Sequence, residues 1–211
     1  KFLKDNAIVP LSSKNAIDLG AGHGLQSIPL AKMGFHVIAV DFNEQLLDEL
    51  RVNAGGLDIE MRCDDIRNIN QFANREIELV VCYGDTLSHL NDKMEVRKLI
   101  TDISTIMKPA GKILFSFRDY SAELTGDGRF IPVKSDDTRI LTCVLDYEKE
   151  FVRVTDLLHE RTETGWKQRV SSFVKVRISS IEIIDFLEAN SMRIQLNEVV
   201  NRMTTIIAVK Q

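Results

Sequence analysis

Three glycines at alternate positions form the strongest chemical pattern in the sequence. Gly20, Gly22 and Gly24 follow a short apolar run that ends at Leu19, and Asp18 stands two residues before the first of them. Glycine is expected where a buried strand turns sharply into a helix, because the backbone can then adopt positive φ and direct free N–H groups at a ligand. One glycine is explained by packing alone, but an acid followed by three alternating glycines predicts a ligand-binding loop.

The spacing of the glycines limits which class of ligand the loop could bind. The fingerprint of dinucleotide-binding loops is G-x-G-x-x-G, whereas here the third glycine comes one residue early. Asp41 ends the next predicted strand about 20 residues past Gly20, where a carboxylate can accept hydrogen bonds from both ribose hydroxyls. NAD enzymes use the same acid, so Asp41 alone leaves an NAD-dependent oxidoreductase open.

The elements around this loop predict an α/β fold. Short apolar runs alternate with segments of helical period from Ala16 to Phe117, which is typical of repeated βαβ units around a parallel sheet. We expect a doubly wound, Rossmann-like, mostly parallel sheet of seven strands that ends in an antiparallel hairpin. The predicted strands are 16–19, 37–40, 59–62, 78–83, 113–117, 193–199 and 203–209.

The pattern changes after Asp119. The segments 140–147, 151–158 and 167–178 are typical of strands, and Gly126 to Gly128 is typical of a loop. In the last of these strands Val170, Val174 and their even-numbered neighbours point one way and Lys175 and Arg177 the other, as in a half-solvated antiparallel sheet. We therefore predict a core of residues 1–119 and 179–211, interrupted by an antiparallel β insertion, 120–178, that covers the substrate or mediates self-association.

Composition excludes several partners. The chain has 211 residues, with 27 Lys and Arg against 31 Asp and Glu, a net charge of −4 that argues against nucleic-acid binding. No apolar run reaches the length of a membrane span and no signal peptide opens the sequence. Its three cysteines are far apart, which favours neither disulfides nor a metal site. We expect a cytoplasmic protein with a small-molecule partner, no metal and no membrane contact; a homo-oligomer stays open.

An acid followed by x-G-x-G-x-G resembles the first motif of the class I S-adenosylmethionine-dependent methyltransferases, and the resemblance extends from Ala16 to Val209. The Asp65-Ile66 pair is similar to the dipeptide that receives the adenine in that family, although a shift of one residue would make Asp64 the ligand. Lys108-Pro-Ala-Gly111 resembles the family's K-P-G-G turn. The resemblance implies S-adenosylmethionine as cofactor, bound by Asp18, Gly20, Ala21, Gly22, Gly24, Asp41, Phe42, Asp65, Ile66, Cys82 and Tyr83.

Two polar segments that follow predicted strands resemble the acceptor loops of the glycine and sarcosine N-methyltransferases, G-N-S-hydrophobic-x-H-L and H-R-N-Y. Here Asp85 replaces the asparagine of the first loop and Phe117 the histidine of the second. The resemblance implies that Arg118 and Tyr120 bind the acceptor, since the family's arginine pairs with the acceptor carboxylate, and that Asp85 and His89 are the catalytic candidates. Structural roles stay open for each: a turn for Asp85, packing for His89, and an ion pair with Asp119 or Asp85 for Arg118.

The reaction implied by the resemblance is a direct displacement at the sulfonium methyl. It needs a nucleophile held in line and water excluded, but no elaborate catalytic triad. We therefore expect a methyltransferase that acts on a small molecule, with an amine as the favoured acceptor. The alternatives are the NAD-dependent oxidoreductase and a non-catalytic module that only binds S-adenosylmethionine.

Overall fold

The structure is a computed structural model that describes residues 2–211. The chain divides into two compact units. The first contains residues 2–87, 94–118 and 180–211, and the second contains residues 88–93 and 119–179. The short segment 88–93 thus belongs to the second unit although it follows a strand of the first. No helix of residues 2–211 is long and apolar enough to cross a membrane.

The helices and strands alternate along the first half of the chain, as the periodicity predicts. In chain order they are α1 (Phe2–Asp5), β1 (Asn15–Leu19), α2 (Ser27–Lys32), β2 (His36–Asp41), α3 (Glu44–Ala54), β3 (Ile59–Cys63), β4 (Ile77–Cys82), α4 (Lys93–Ile106), β5 (Met107–Phe117), β6 (Phe130–Ser135), β7 (Arg139–Tyr147), β8 (Phe151–Thr162), β9 (Gly165–Val176), α5 (Ser180–Glu188), β10 (Met192–Val200) and β11 (Met203–Lys210). Short 3-10 helices span Ile66–Phe72, Thr86–His89 and Gly126–Arg129.

The first unit is built on a seven-stranded sheet in the order β10-β11-β5-β4-β1-β2-β3. Strands β3, β2, β1, β4 and β5 are parallel, and β11 and β10 run antiparallel beside β5. All six residues of β4 are buried, which explains its continuous apolar run. The predicted doubly wound sheet with its closing hairpin is confirmed.

The order of the strands reverses at β1, whose two neighbours are β2 and β4. In such sheets the connections leave β1 and β4 toward opposite sides, and a crevice opens beyond the carboxyl ends of the two strands. The glycine loop follows β1 and the Gly84-Asp85 turn follows β4. The topology therefore places both sequence-predicted loops of the first unit at the usual ligand position.

Local sequence signals determine where helix α3, which follows β2, begins and ends. The side chain of Asn43 accepts the N–H of Leu46 at 3.2 Å and caps α3, as predicted. Gly55 ends that helix in the left-handed region at φ +56°. Leu47 and Leu50 then face the core with Ala39 and Ala21.

The second unit is a four-stranded antiparallel sheet in the order β6-β7-β8-β9. Its strands β8 and β9 form a long hairpin that pairs from Phe151 with Val176 to Thr162 with Gly165. A small apolar cluster stabilises one face and contains Tyr120, Leu145, Val152 and Val154. The predicted antiparallel strands are present, and β8 is longer than the predicted segment 151–158.

One prediction at β5 was wrong, and strand β6 lies where the sequence analysis predicted no element. The segment Lys108 to Gly111 is no separate turn but an irregular part of β5, because the pairing register with β4 shifts there and Ala110 adopts φ +63°. Strand β6, Phe130–Ser135, contains Pro132. β6 lies at the edge of the sheet, and an edge strand can contain a proline because it need not donate every backbone N–H.

The predicted alternation along β9 was also wrong. Val170 and Val174 are 59% and 47% exposed, whereas Lys175, expected in solvent, is only 9% exposed. Exposure on both faces extends from Gly165 to Val174. Within β9 only the last two residues, Lys175 and Val176, are buried, so the predicted alternation does not decide which of its side chains are buried.

Candidate functional site

The loop after β1 is tied to β2 by its backbone. The N–H groups of Gly20 and Ala21 donate to the carbonyl oxygen of Val40 at 2.8 and 3.1 Å. All three glycines of the loop adopt positive φ, at +73°, +52° and +98° in chain order. The predicted need for glycine in this turn is confirmed, since other residues are strained in this region.

The three glycines nevertheless have different surroundings. A Cβ atom on Gly20 would lie 2.4 Å from the Thr86 hydroxyl oxygen, and one on Gly24 would lie 2.3 Å from a methyl group of Leu50. A Cβ atom on Gly22 would meet nothing within 4 Å. Gly20 and Gly24 thus permit close packing of the protein, and only Gly22 borders open space.

Asp41 lies at this open side of the loop. Its Oδ2 accepts the N–H of Gly22 at 2.8 Å and its Oδ1 accepts the N–H of Asn43 at 2.8 Å, while the residue is 7% exposed. A carboxylate has about four acceptor positions, so these two bonds leave capacity on each oxygen. These remaining acceptor positions suit the two hydroxyl groups of a ribose, which would donate to them. The next residue, Phe42, is 82% exposed and presents an apolar ring.

Asp18 is placed below the loop rather than on its open side. It is 1% exposed, and its carboxylate accepts the hydroxyl proton of Ser27 at 2.6 Å. Burial is the main cause that raises the pKa of Asp18 to about 6; the hydrogen bonds from Ser27 oppose it and the charge of Asp41 adds to it. Ser27 begins α2, so this contact joins β1 to the helix that follows the glycine loop.

The two acids after β3 have protein partners. Asp65 caps the 3-10 helix Ile66–Phe72, and both of its oxygens accept N–H groups of Arg67, which also contacts Glu95 at 2.8 Å. Asp64 accepts the side-chain amides of Asn68 and Gln71. Hydrogen bonds lower the pKa of both acids, so both are charged at neutral pH. The role predicted for Asp65 and Ile66 remains a prediction.

The residues at the end of β4 are held firmly. Burial, followed by the charges of Asp18 and Asp85, raises the pKa of the Cys82 thiol far above its usual range, so the thiol is neutral and is no nucleophile. Tyr83 packs, partly buried, against a core cluster that includes Val81 and Leu114. Cys82 and Tyr83 therefore have structural roles, and their contact with a cofactor stays a prediction.

Asp85 connects this strand to β5. It is 4% exposed, with φ +77°, and its Oδ1 accepts the backbone N–H of Arg118 at 2.9 Å. The Asp85 N–H in turn donates to the carbonyl oxygen of Ser116 at 3.0 Å. Asp85, the predicted catalytic acid, thus contacts the backbone of Arg118, the predicted acceptor-binding residue. Arg118 is classed as exposed.

The second unit brings the other two predicted residues into one cluster. The ring of His89 stacks on that of Phe173, with centroids 5.5 Å apart and an angle of 24° between the planes. The Nζ atom of Lys175 lies 5.8 Å from the centroid of Phe173 and 6.0 Å from that of Tyr120. Sequence reasoning did not select Phe173 or Lys175, because both lie on a strand whose alternation resembled a solvated face.

No group of three or more His, Cys, Asp or Glu side chains within residues 2–211 is arranged to hold a metal ion.

Comparison with known proteins agrees with this geometry. Residues 16–111 match the family model described as methyltransferase domain. A ubiquinone biosynthesis O-methyltransferase of Coxiella burnetii is 34% identical over 110 residues, which are 51% of this chain and 45% of that protein. A glycine/sarcosine N-methyltransferase of Parasynechococcus marenigrum is 28% identical over 116 residues, 54% of this chain and 41% of that protein. The chain thus matches less than half of the length of each relative.

The fold has solved counterparts over nearly its whole length. The CcbJ methyltransferase of Streptomyces caelestis superimposes with a TM-score of 0.82 at 16% identity, covering 97% of this chain and 92% of that one. The chain therefore has the fold of these methyltransferases, and its residues 16–111 are similar to the methyltransferase domain family. The two curated relatives act, by their names, on oxygen and on nitrogen respectively.

Proposed function

We propose that the chain binds S-adenosylmethionine in the crevice beyond β1 and β4 and transfers its methyl group to a small-molecule acceptor, with an amine nitrogen as the favoured nucleophile. The observation that carries the proposal is the pair formed by Asp41 and Gly22. The Asp41 carboxylate is fixed by two backbone N–H groups and retains acceptor positions, and the space above Gly22 is open.

The remaining loop residues support the same cofactor. Gly20 and Gly24 let the loop pack against Thr86 and Leu50, which keeps the N–H groups of the turn in place. Phe42 presents an exposed ring directly after Asp41, where it can cover an adenine. The one-residue departure from the dinucleotide spacing supports this cofactor over NAD.

The cofactor supplies a methyl group already activated by a positively charged sulfur. The protein then has to hold the acceptor, deprotonate it and exclude water. Arg118 provides a planar fork for an acceptor carboxylate, and Tyr120 lies two residues further along the chain. Asp85 or His89 accepts the proton that an amine must lose before it attacks.

Asp85 favours nitrogen over oxygen as the acceptor atom. Replacing the asparagine of the N-methyltransferase loop by aspartate adds a negative charge at the end of β4. A carboxylate there attracts an amine in its protonated form and can then take its proton, whereas an anionic phenolate would be repelled.

Ligand-dependent stabilisation tests the cofactor. Because a ligand that binds only the folded state raises the melting temperature, the protein should be stabilised by S-adenosylmethionine and S-adenosylhomocysteine and not by NAD or NADP. Stabilisation by NAD alone would overturn the proposal. Transfer of a labelled methyl group to a panel of amino acids, polyamines and phenols then identifies the nucleophile, and transfer to phenols alone would exclude the amine.

A further inference from the structure

We propose that two copies of the chain associate through β9, each adding this strand to the edge of the other's four-stranded sheet. The two β9 strands run antiparallel about a two-fold axis at Val170 and join the two sheets into one. This surface belongs to the second unit alone and is independent of the proposed methyl transfer. The proposal is carried by the regularity of the β9 edge and by the order of its side chains.

The edge of β9 is long and regular. β9 is the last strand in the order β6-β7-β8-β9, and its 12 residues pair with β8 without a register shift. Alternate residues of such an edge direct their backbone N–H and carbonyl groups away from the sheet, where an added strand can bind them. Residues 165–174 are exposed, so another chain can reach this edge.

The other three edge strands carry features that hinder such pairing. β3 has only 5 residues. The pairing register of β6 shifts between Pro132 and Lys134, and that of β10 shifts between Ile194 and Leu196. Short strands, prolines and bulges protect sheet edges from association. Of the edges that the structure describes, β9 is the one that such features do not protect.

The exposed apolar side chains of β9 favour pairing with a second copy. Trp166, Val170 and Val174 lie on one face of the strand and are 50%, 59% and 47% exposed. With the axis at Val170, the two Val170 side chains lie opposite each other, and each Trp166 lies opposite Val174 of the other copy. These side chains form one apolar stripe across both strands, and cross-strand pairs of aromatic and β-branched residues stabilise a sheet.

The positive side chains of β9 limit the register. The central part of the strand contains Lys167 and Arg169, and like charges directly opposite each other destabilise a sheet. With the axis at Val170, Lys167 lies opposite Phe173 of the other copy and Arg169 lies opposite Ser171. In this register neither cation faces another.

The neighbouring registers are less favourable. An axis at Arg169 would place two guanidinium groups opposite each other. An axis at Ser171 would place Val170 opposite Ser172 and so interrupt the apolar stripe. The axis at Val170 therefore joins the apolar side chains and separates the cations.

The association state and the hydrogen exchange of β9 test the proposal. Sedimentation velocity of the wild-type protein should show a monomer–dimer equilibrium at concentrations between about 1 and 100 µM. Hydrogen exchange followed by mass spectrometry should show slower exchange in residues 165–176 at the higher concentration. Residues 130–135, at the other edge of the same sheet, should exchange at the same rate throughout.

Three lysine variants locate the axis. Val170→Lys places two cations opposite each other and should raise the dissociation constant of the dimer by about tenfold or more. Gln168→Lys adds the same charge to the same face, but opposite Ser172 of the other copy, and should raise the constant by less than about threefold. Val133→Lys is the matched control on β6, where Val133 is 54% exposed, and should leave the constant unchanged.

A wild-type protein that stays monomeric at about 100 µM overturns the proposal. A dimer in which residues 165–176 exchange as fast as in the monomer overturns it as well, because association then uses another surface. Equal effects of Val170→Lys and Gln168→Lys overturn the pairing about Val170. If Val170→Lys fails to fold, the concentration dependence of exchange in the wild-type protein still decides.

Discussion

The carboxylate of Asp85 accepts the backbone N–H of Arg118 at 2.9 Å, across the carboxyl ends of β4 and β5. One bond therefore links the acid that is predicted to accept a proton to the residue that is predicted to bind the acceptor. Asp85 has a positive φ of +77°, a conformation in which asparagine is also well tolerated. This makes asparagine the informative replacement.

Asp85→Asn should preserve the fold and impair transfer. The amide oxygen can still accept the Arg118 N–H, so we expect the free energy of unfolding to change by less than about 0.5 kcal/mol. The loss of a proton acceptor should lower kcat for an amine by about 100-fold. Chemical denaturation and labelled-methyl assays measure the two effects. An unchanged kcat would assign Asp85 to the turn alone and leave His89 as the candidate.

Asp41→Asn should weaken cofactor binding, because the amide offers one acceptor oxygen in place of two. We expect a loss of roughly 1–3 kcal/mol in the binding of S-adenosylhomocysteine, measured by calorimetry. Glu49→Gln on the exposed side of α3 is the control that removes one negative charge nearby in sequence. If the two variants bind S-adenosylhomocysteine with equal affinity, Asp41 is not part of the binding site.

Gly22→Val should abolish cofactor binding while the protein stays folded. The side chain would occupy open space beside Asp41, and the strain at φ +52° should cost roughly 1–2 kcal/mol of stability. Gly55→Val is a matched control, because Gly55 has φ +56° and also meets nothing within 4 Å, but it lies at the end of α3. If both variants bind S-adenosylhomocysteine normally, the loop is only a tight turn.

The stability of the protein should depend on pH through Asp18. Burial raises the pKa of Asp18 from 3.8 to about 6, so the folded protein binds this proton more tightly than the unfolded chain. The contribution is fully present below about pH 4 and is lost as the pH rises through about 6. Relative to Asp18→Asn, the free energy of unfolding of the wild type should therefore fall by up to roughly 3 kcal/mol between about pH 4 and 7. A constant difference across this range contradicts the prediction.

Arg118→Lys should affect the acceptor and spare the cofactor. Lysine retains the positive charge but lacks the planar fork that holds a carboxylate through two bonds. With an amino acid acceptor we expect KM to rise by about tenfold, while the Kd of S-adenosylhomocysteine stays within about twofold. An acceptor without an acidic group whose KM is indifferent to Arg118→Ala would refute this role.

Much of the fold follows from local patterns in the sequence. The apolar runs of β1, β2 and β4 and the cap at Asn43 predicted the parallel core, since these signals act over a few residues. Positive φ at alternate residues is likewise a local property, so the glycine loop was recognised without the tertiary structure. The family resemblance then connected this loop to a cofactor.

Other features depend on residues that are distant in sequence. Gly20 and Gly22 are equivalent in the sequence pattern. In the structure they differ, because Thr86 packs against Gly20 whereas Gly22 borders open space. The period of β9 shows which side chains share a face, but the neighbouring strand and loops decide which face is covered, and so Lys175 is buried where solvent was expected. Burial is a property of long-range packing. For that reason the sequence by itself determined the fold class and the glycine loop, whereas only the tertiary structure decided the surroundings of each side chain.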